Sequence, residues 1–196
     1  MKRVWLAAAV ASLLAASPAS AQVTVGARLG AGFALGDVGG TLPMSDWTQG
    51  QIPLQLDVLY RVTPRVRVGG YFSWGFGLPG DACDGLDCTA AVTRLGVEGT
   101  FAFTGGSFVP WVGAGIGYEW NTVDAGAEKG SFTGFELLGL QAGGDFVVSP
   151  RLSVGPYAMF SLGQYDEGAI DGSKGPIRDR RMHQWLSLGV RGTFDL

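Results

Sequence analysis

Beyond its first 21 residues the chain has no apolar stretch approaching the roughly 18 residues a membrane-spanning helix requires, so insertion into a bilayer would have to use strands. Helix-start signals ahead of apolar runs of 3.6-residue period are nearly absent there too, which argues against helical and mixed folds. Basic residues are outnumbered, 14 Lys and Arg against 17 Asp and Glu, and the net charge of −3 gives nucleic-acid binding no support. Neither a phosphate loop nor a dinucleotide fingerprint occurs, so no cofactor is expected. Two cysteines and a single histidine are too few for a zinc site.

What is present begins with a leader. Lys2 and Arg3 precede the uncharged apolar run Val4 to Ala16, and Ala19-Ser20-Ala21 fits a processing site, so residues 1–21 read as a secretory signal peptide cut before Gln22. Residues 22–196 then form one domain, more acidic than the whole chain because Lys2 and Arg3 leave with the leader. In an exported chain Cys83 and Cys88 are expected to close one small disulfide loop.

Glycine supplies 33 of the 196 residues and aromatics are frequent. Together with two-residue alternation, that composition reads as all-β. Eight alternating segments can be drawn, at residues 22–35, 52–62, 66–78, 92–103, 110–120, 135–147, 152–164 and 183–196. In the last of them Leu186, Leu188, Val190, Phe194 and Leu196 share one parity while Ser187, Gly189, Arg191, Thr193 and Asp195 share the other. Glu136 breaks the pattern by falling on the apolar parity, which implies either nearby water or a later strand start.

Connections alternate in length. Tight turns are expected around Thr63-Pro64, Thr104 to Ser107 and Ser149-Pro150, and long loops at about 36–51, 79–90, 121–134 and 165–182. Short turns at one end with both termini, and long loops at the other, is the layout of a transmembrane barrel.

The charges decide which parity faces solvent. The polar parity gathers Arg28, Arg61, Arg67, Arg94 and Arg191 with Asp57, Glu98, Glu119, Asp145 and Asp195, balanced in sign and without lysine. Arginine suits a confined ion-pair network, because its planar fork holds carboxylates bidentately. The same parity collects glycines, which a crowded interior accommodates. The apolar parity carries aromatics near strand ends, among them Tyr60, Trp74, Phe76, Phe101, Phe103, Tyr118, Trp120 and Phe146, as two girdles of a lipid-facing belt would. The expectation is an all-β, eight-stranded antiparallel up-and-down transmembrane β-barrel with a polar lumen, short periplasmic turns and long extracellular loops.

With its leader, eight strands, loop asymmetry and closing "LSLGVRGTF" strand, the chain resembles the small outer-membrane β-barrel superfamily typified by the OmpA transmembrane domain and OmpX, the outer membrane protein beta-barrel domain family. The resemblance implies residence in the outer membrane of a Gram-negative envelope as a monomer, contact with outer-membrane lipid and lipopolysaccharide, and insertion by the barrel-assembly machinery. That machinery reads a terminal aromatic in the family; here Phe194 stands two places before the end.

An eight-stranded barrel is just wide enough for side chains to fill. The ten charges therefore read as a network that plugs the lumen, with a narrow path for small solutes as the alternative and a soluble periplasmic lipocalin-like carrier as a second. His183 could serve catalysis only beside a nucleophile. Ser187, four residues along the same strand with Trp185 between, lies too far away, so the protein reads as no enzyme and His183 as a residue of the loop mouth. Asp81, Asp84 and Asp87 around the cysteines form a weak calcium candidate that lacks the order of a dedicated calcium loop. Arg178, Arg180 and Arg181, at the loop-end rim, could meet lipopolysaccharide phosphates.

Overall fold

The computed structural model describes residues 23–40, 42–83, 87–126 and 129–196. The leader reading at 1–21 and the carboxylate of Asp84 lie outside the described residues. In chain order the elements are β1 (Val23–Gly39), β2 (Leu42–Pro43), α1 (Met44–Trp47), β3 (Thr48–Arg61), β4 (Val66–Pro79), a 3₁₀ turn (Asp81–Cys83) and β5 (Thr89–Ala102). They continue with β6 (Phe108–Asp124), β7 (Lys129–Val147), β8 (Leu152–Ile170), β9 (Ser173–Pro176) and β10 (Met182–Asp195).

Eight long strands pair with their chain neighbours, and β10 pairs with both β1 and β8, so the sheet closes on itself. Closure gives every long strand two partners and leaves no open edge among them. Thr24 lies opposite Asp195, which puts both ends of the barrel at the same mouth as the turns at 62–65, 103–107 and 148–151. We call this the turn end and the opposite mouth the loop end.

Burial is inverted relative to a water-soluble protein. Leu29, Leu56, Val58, Leu95, Val97, Ile116, Leu140, Leu188 and Val190 on the outer wall are 48–58 % exposed, whereas Arg28, Asp57, Glu119 and Arg191 inside are 1 % exposed. A band of this size would not remain bare in water. Outer aromatics gather toward the two mouths: Phe101 with Phe103 and Phe108 with Phe146 at the turn end, Trp74 with Phe76 and Tyr118 with Trp120 and Phe135 toward the loop end. Inner glycines make room for large inward rings. A Cβ on Gly96 would come within 2.6 Å of the Tyr71 ring, and one on Gly143 within 2.6 Å of Trp111.

Three departures from the sequence pattern matter. Gly139 of β7 faces Gly115 of β6 while Glu136 faces Gly117, so one residue is extra around Leu137 and Leu138. This β-bulge leaves both leucines on the outer wall and turns Glu136 into the lumen, 2 % exposed, which neither water nor a later strand start explains. The loops expected at 121–134 and 165–182 are largely strand: β6 and β7 form one long hairpin, and β8 turns through Asp171 and Gly172, both at positive φ, into β9. Within the loop expected at 36–51, α1 folds into the loop-end mouth. Its Met44 is fully buried, in a cluster with Ala34, Val38, Val92, Tyr165 and Trp185 that Trp47, Phe132 and Ile177 cover.

Candidate functional site

Along the barrel axis the lumen side chains form three tiers. Near the turn end, Arg191 Nη2 lies 2.5 Å from Asp145 Oδ2 and the indole of Trp111 donates to Asp145 Oδ1 at 3.0 Å. The Arg191 guanidinium sits over that indole, 3.6 Å from the ring centroid. Closer to the mouth, Asp195 accepts from Thr24 at 2.5 Å and from Arg61 at 2.6 Å, while Arg67 comes only to 3.9 Å.

Arg28 spans the middle tier. Its Nε donates to Asp57 at 2.8 Å, Nη2 to Glu98 at 2.6 Å and Nη1 to the Gln141 carbonyl, so one side chain from β1 reaches β3, β5 and β7. Gln55 completes Asp57 at 2.7 Å and Gln141 completes Glu98 at 2.8 Å. Every carboxylate in this tier is hydrogen-bonded, the condition under which buried charge is tolerated.

The third tier, toward the loops, is built on Arg94. Its Nε donates to Glu119 at 2.6 Å and lies 3.8 Å from Glu136, which also accepts from the Tyr71 hydroxyl at 3.0 Å. Glu119 further accepts from the Tyr165 hydroxyl and from the Trp185 indole at 3.3 Å. His183 is 1 % exposed, stacks on Tyr165 with ring centroids 4.0 Å apart and brings Nε2 to 3.4 Å from Glu119. It is therefore an interior residue, contrary to the mouth position expected from its place in the chain. Neither ring nitrogen has a hydrogen-bond partner among the described residues, so no nucleophile is paired with it there.

All ten charges of the polar parity thus face the lumen. Arg61, Arg67 and Asp195 are only partly buried, with 21–29 % of each side chain exposed at the turn-end mouth. Pattern reading missed Glu136, which the bulge adds, and the hydroxyl and indole donors of Tyr71, Tyr165, Trp111 and Trp185. With Glu136 the described lumen holds six carboxylates to five arginines, and the third tier carries two carboxylates on one arginine.

No family model matches the sequence, and no curated protein matches it. The folded chain is similar to Neisserial surface protein A (NspA), with 91 % of this chain and 100 % of that one covered at 13 % identity and a TM-score of 0.64. It is also similar to Ail, the attachment invasion locus protein of Yersinia pestis, with 90 % and 100 % covered at 12 % identity and a TM-score of 0.52. A third likeness is to the outer membrane protein AlkL in DMPC lipid bilayers, covering 93 % and 95 % at 14 % identity with a TM-score of 0.50. The fold is that of the small outer-membrane β-barrels. At such identities the likeness carries the architecture, and the roles of individual residues rest on their own geometry.

At the loop end of this outer-membrane barrel fold, Cys83 and Cys88 form a disulfide. Asp81 accepts from Gln49 at 3.0 Å and Asp87 is exposed, and no metal-binding group of three His, Cys, Asp or Glu occurs among the described residues. The calcium candidate therefore rests on nothing beyond the sequence. Arg178, Arg180 and Arg181 are all exposed at the rim and make no ion pair with a described residue. At the tip of the β6–β7 hairpin, Lys129 Nζ lies 2.8 Å from Asp124, and this hydrogen bond, with the Gly126 amide, holds the Asp124 carboxyl below the usual range.

Proposed function

We propose that the protein is an integral outer-membrane barrel, exported by a cleaved leader, monomeric and without catalytic activity, with a closed lumen and loops that serve a structural or surface-interaction role. One observation carries the closed lumen: Arg28 bridges three walls of an eight-stranded barrel and is held by partners on each. Partners on β3, β5 and β7 that share one guanidinium support closure at that level, and a barrel of this strand number has no width to spare. The bare apolar band supports lipid on the outside. The test is conductance of the refolded mature protein in planar bilayers beside Arg94→Ala and Arg28→Ala variants. Silence from the native protein with flickering openings from Arg28→Ala is the expected result. Stable openings of the native protein would overturn closure and favour a narrow path for small solutes.

At the outer rim, Arg178, Arg180 and Arg181 are suited to lipopolysaccharide phosphates, because arginine pairs with phosphate bidentately and these three face solvent without a carboxylate partner among the described residues. A variant with all three changed to Gln should lose most of the thermal stabilisation that added lipopolysaccharide gives the folded barrel. Equal stabilisation of both proteins would sink this assignment.

A further inference from the structure

The turn-end mouth opens into a cavity of about 400 Å³ whose wall carries four arginines, Arg61, Arg65, Arg67 and Arg151, and two carboxylates, Asp145 and Asp195. The carboxylates do not satisfy the arginines. Asp145 is already held by Arg191 and Trp111 from the floor beneath. Asp195 accepts from Thr24 on one oxygen and Arg61 on the other, and Arg67 approaches it only to 3.9 Å. The Nε atoms of Arg61 and Arg67 are buried without a hydrogen-bond partner, and Arg65 and Arg151, exposed on turns across the mouth from one another, make no ion pair with a described residue.

Each guanidinium carries five N–H donors in a fixed fork, and a buried donor left unpaired is costly. Here the deficit is concentrated: two half-buried forks share one carboxylate, with two further cations at the rim. The middle and loop-end tiers have the opposite imbalance, each with more carboxylates than arginines. Positive charge is therefore in excess at this mouth, where a mobile anion could enter.

We propose that the turn-end cavity is a binding site for a phosphoryl group, with Arg67 as its principal fork and Arg61, Arg65 and Arg151 completing the cradle. Arginine matches tetrahedral oxyanions in paired, charge-assisted hydrogen bonds, and the Nε–H together with one Nη–H is the edge Arg67 has to offer. A soluble phosphate and the headgroup of an anionic phospholipid both present this chemistry to the mouth.

The test follows the arginine Nε–H resonances of the isotopically labelled mature protein in phosphatidylcholine nanodiscs titrated with inorganic phosphate. Saturable shifts at Arg61 and Arg67, with affinity reduced about tenfold by Arg67→Gln and left unchanged by Lys129→Gln at the opposite end of the barrel, are expected. Arg65→Gln and Arg151→Gln, at exposed turn positions that make no ion pair with a described residue, should each weaken binding as well, which keeps the test valid if Arg67→Gln fails to fold. Nanodiscs containing phosphatidylglycerol separate the sources. Shifts present before phosphate is added assign the site to a lipid headgroup, and shifts that wait for phosphate assign it to a soluble anion. The absence of saturable shifts in both nanodiscs, or binding indifferent to all three turn-end substitutions, would overturn the site while leaving the closed-barrel reading intact.

Discussion

Arg94 holds Glu119 at 2.6 Å and stands 3.8 Å from Glu136, so, like Arg28 in the middle tier, it is the one arginine of its tier and faces two carboxylates. Removing it should leave both uncompensated in a site closed to water. Arg94→Ala is expected to cost about 3–5 kcal/mol of stability, the range for stripping one partner from a buried ionic group. Glu136→Gln should differ by less than about 1 kcal/mol, because an amide oxygen still accepts from Tyr71 and the charge it removes is the surplus one. Urea unfolding of the two variants in lipid vesicles measures the difference, and a larger loss from Glu136→Gln would mean that the second negative charge is needed. The ten parity-matched charges were legible in the sequence because alternation alone assigns a face. Glu136 was not, since its own parity pointed outward; Tyr71, Trp111 and Trp185 share the inward parity of the charges, but alternation does not announce the carboxylate each donates to, and Tyr165 lies just past the segment drawn at 152–164.

At the scale of elements, all eight long strands were readable because each spanning segment alternates over nine or more residues and each turn-end connection carries Pro, Gly or Ser. Their loop-end limits were not. Beyond the belt the alternation fades: Val123 past Trp120 in β6 and Phe132 before Phe135 in β7 are isolated among polar residues and glycines, so these runs resemble a loop although they pair from Asp124 opposite Lys129. One signal there was available and unused, since Asp171-Gly172 is the dipeptide that favours a two-residue hairpin turn, and the chain does reverse there, from β8 into β9. α1 is four residues long with no side-chain cap, too short for periodicity to announce. What positions it is tertiary: Met44 fills the mouth above Tyr165, and the Tyr165 hydroxyl reaches Glu119 below, so the loop-end plug and the third tier are one packed unit. The bulge at Leu137 is likewise invisible as composition, being a single added residue in an otherwise regular strand.

For the whole molecule, inversion of inside and outside is the property on which the rest depends, and tryptophan reports it directly. Trp74 and Trp120 stand on the outer wall, 39 % and 37 % exposed, while Trp111 and Trp185 lie in the lumen, 2 % and 1 % exposed, bonded to Asp145 and Glu119. Trp47 is partly buried in the loop-end plug. In bilayers whose acyl chains carry bromine, a contact quencher, only rings that touch lipid should dim. Changing Trp74 and Trp120 together to Phe preserves an aromatic outer wall and leaves the lumen bonds alone, so the barrel should still fold. The native protein is expected to show a lipid-quenchable component that the double variant lacks, although Trp47, Trp111 and Trp185 continue to fluoresce. Equal quenching of the two proteins would place the lumen rings against lipid. No quenching of the native protein would instead favour a soluble carrier, whose apolar wall must then be covered by something other than a membrane.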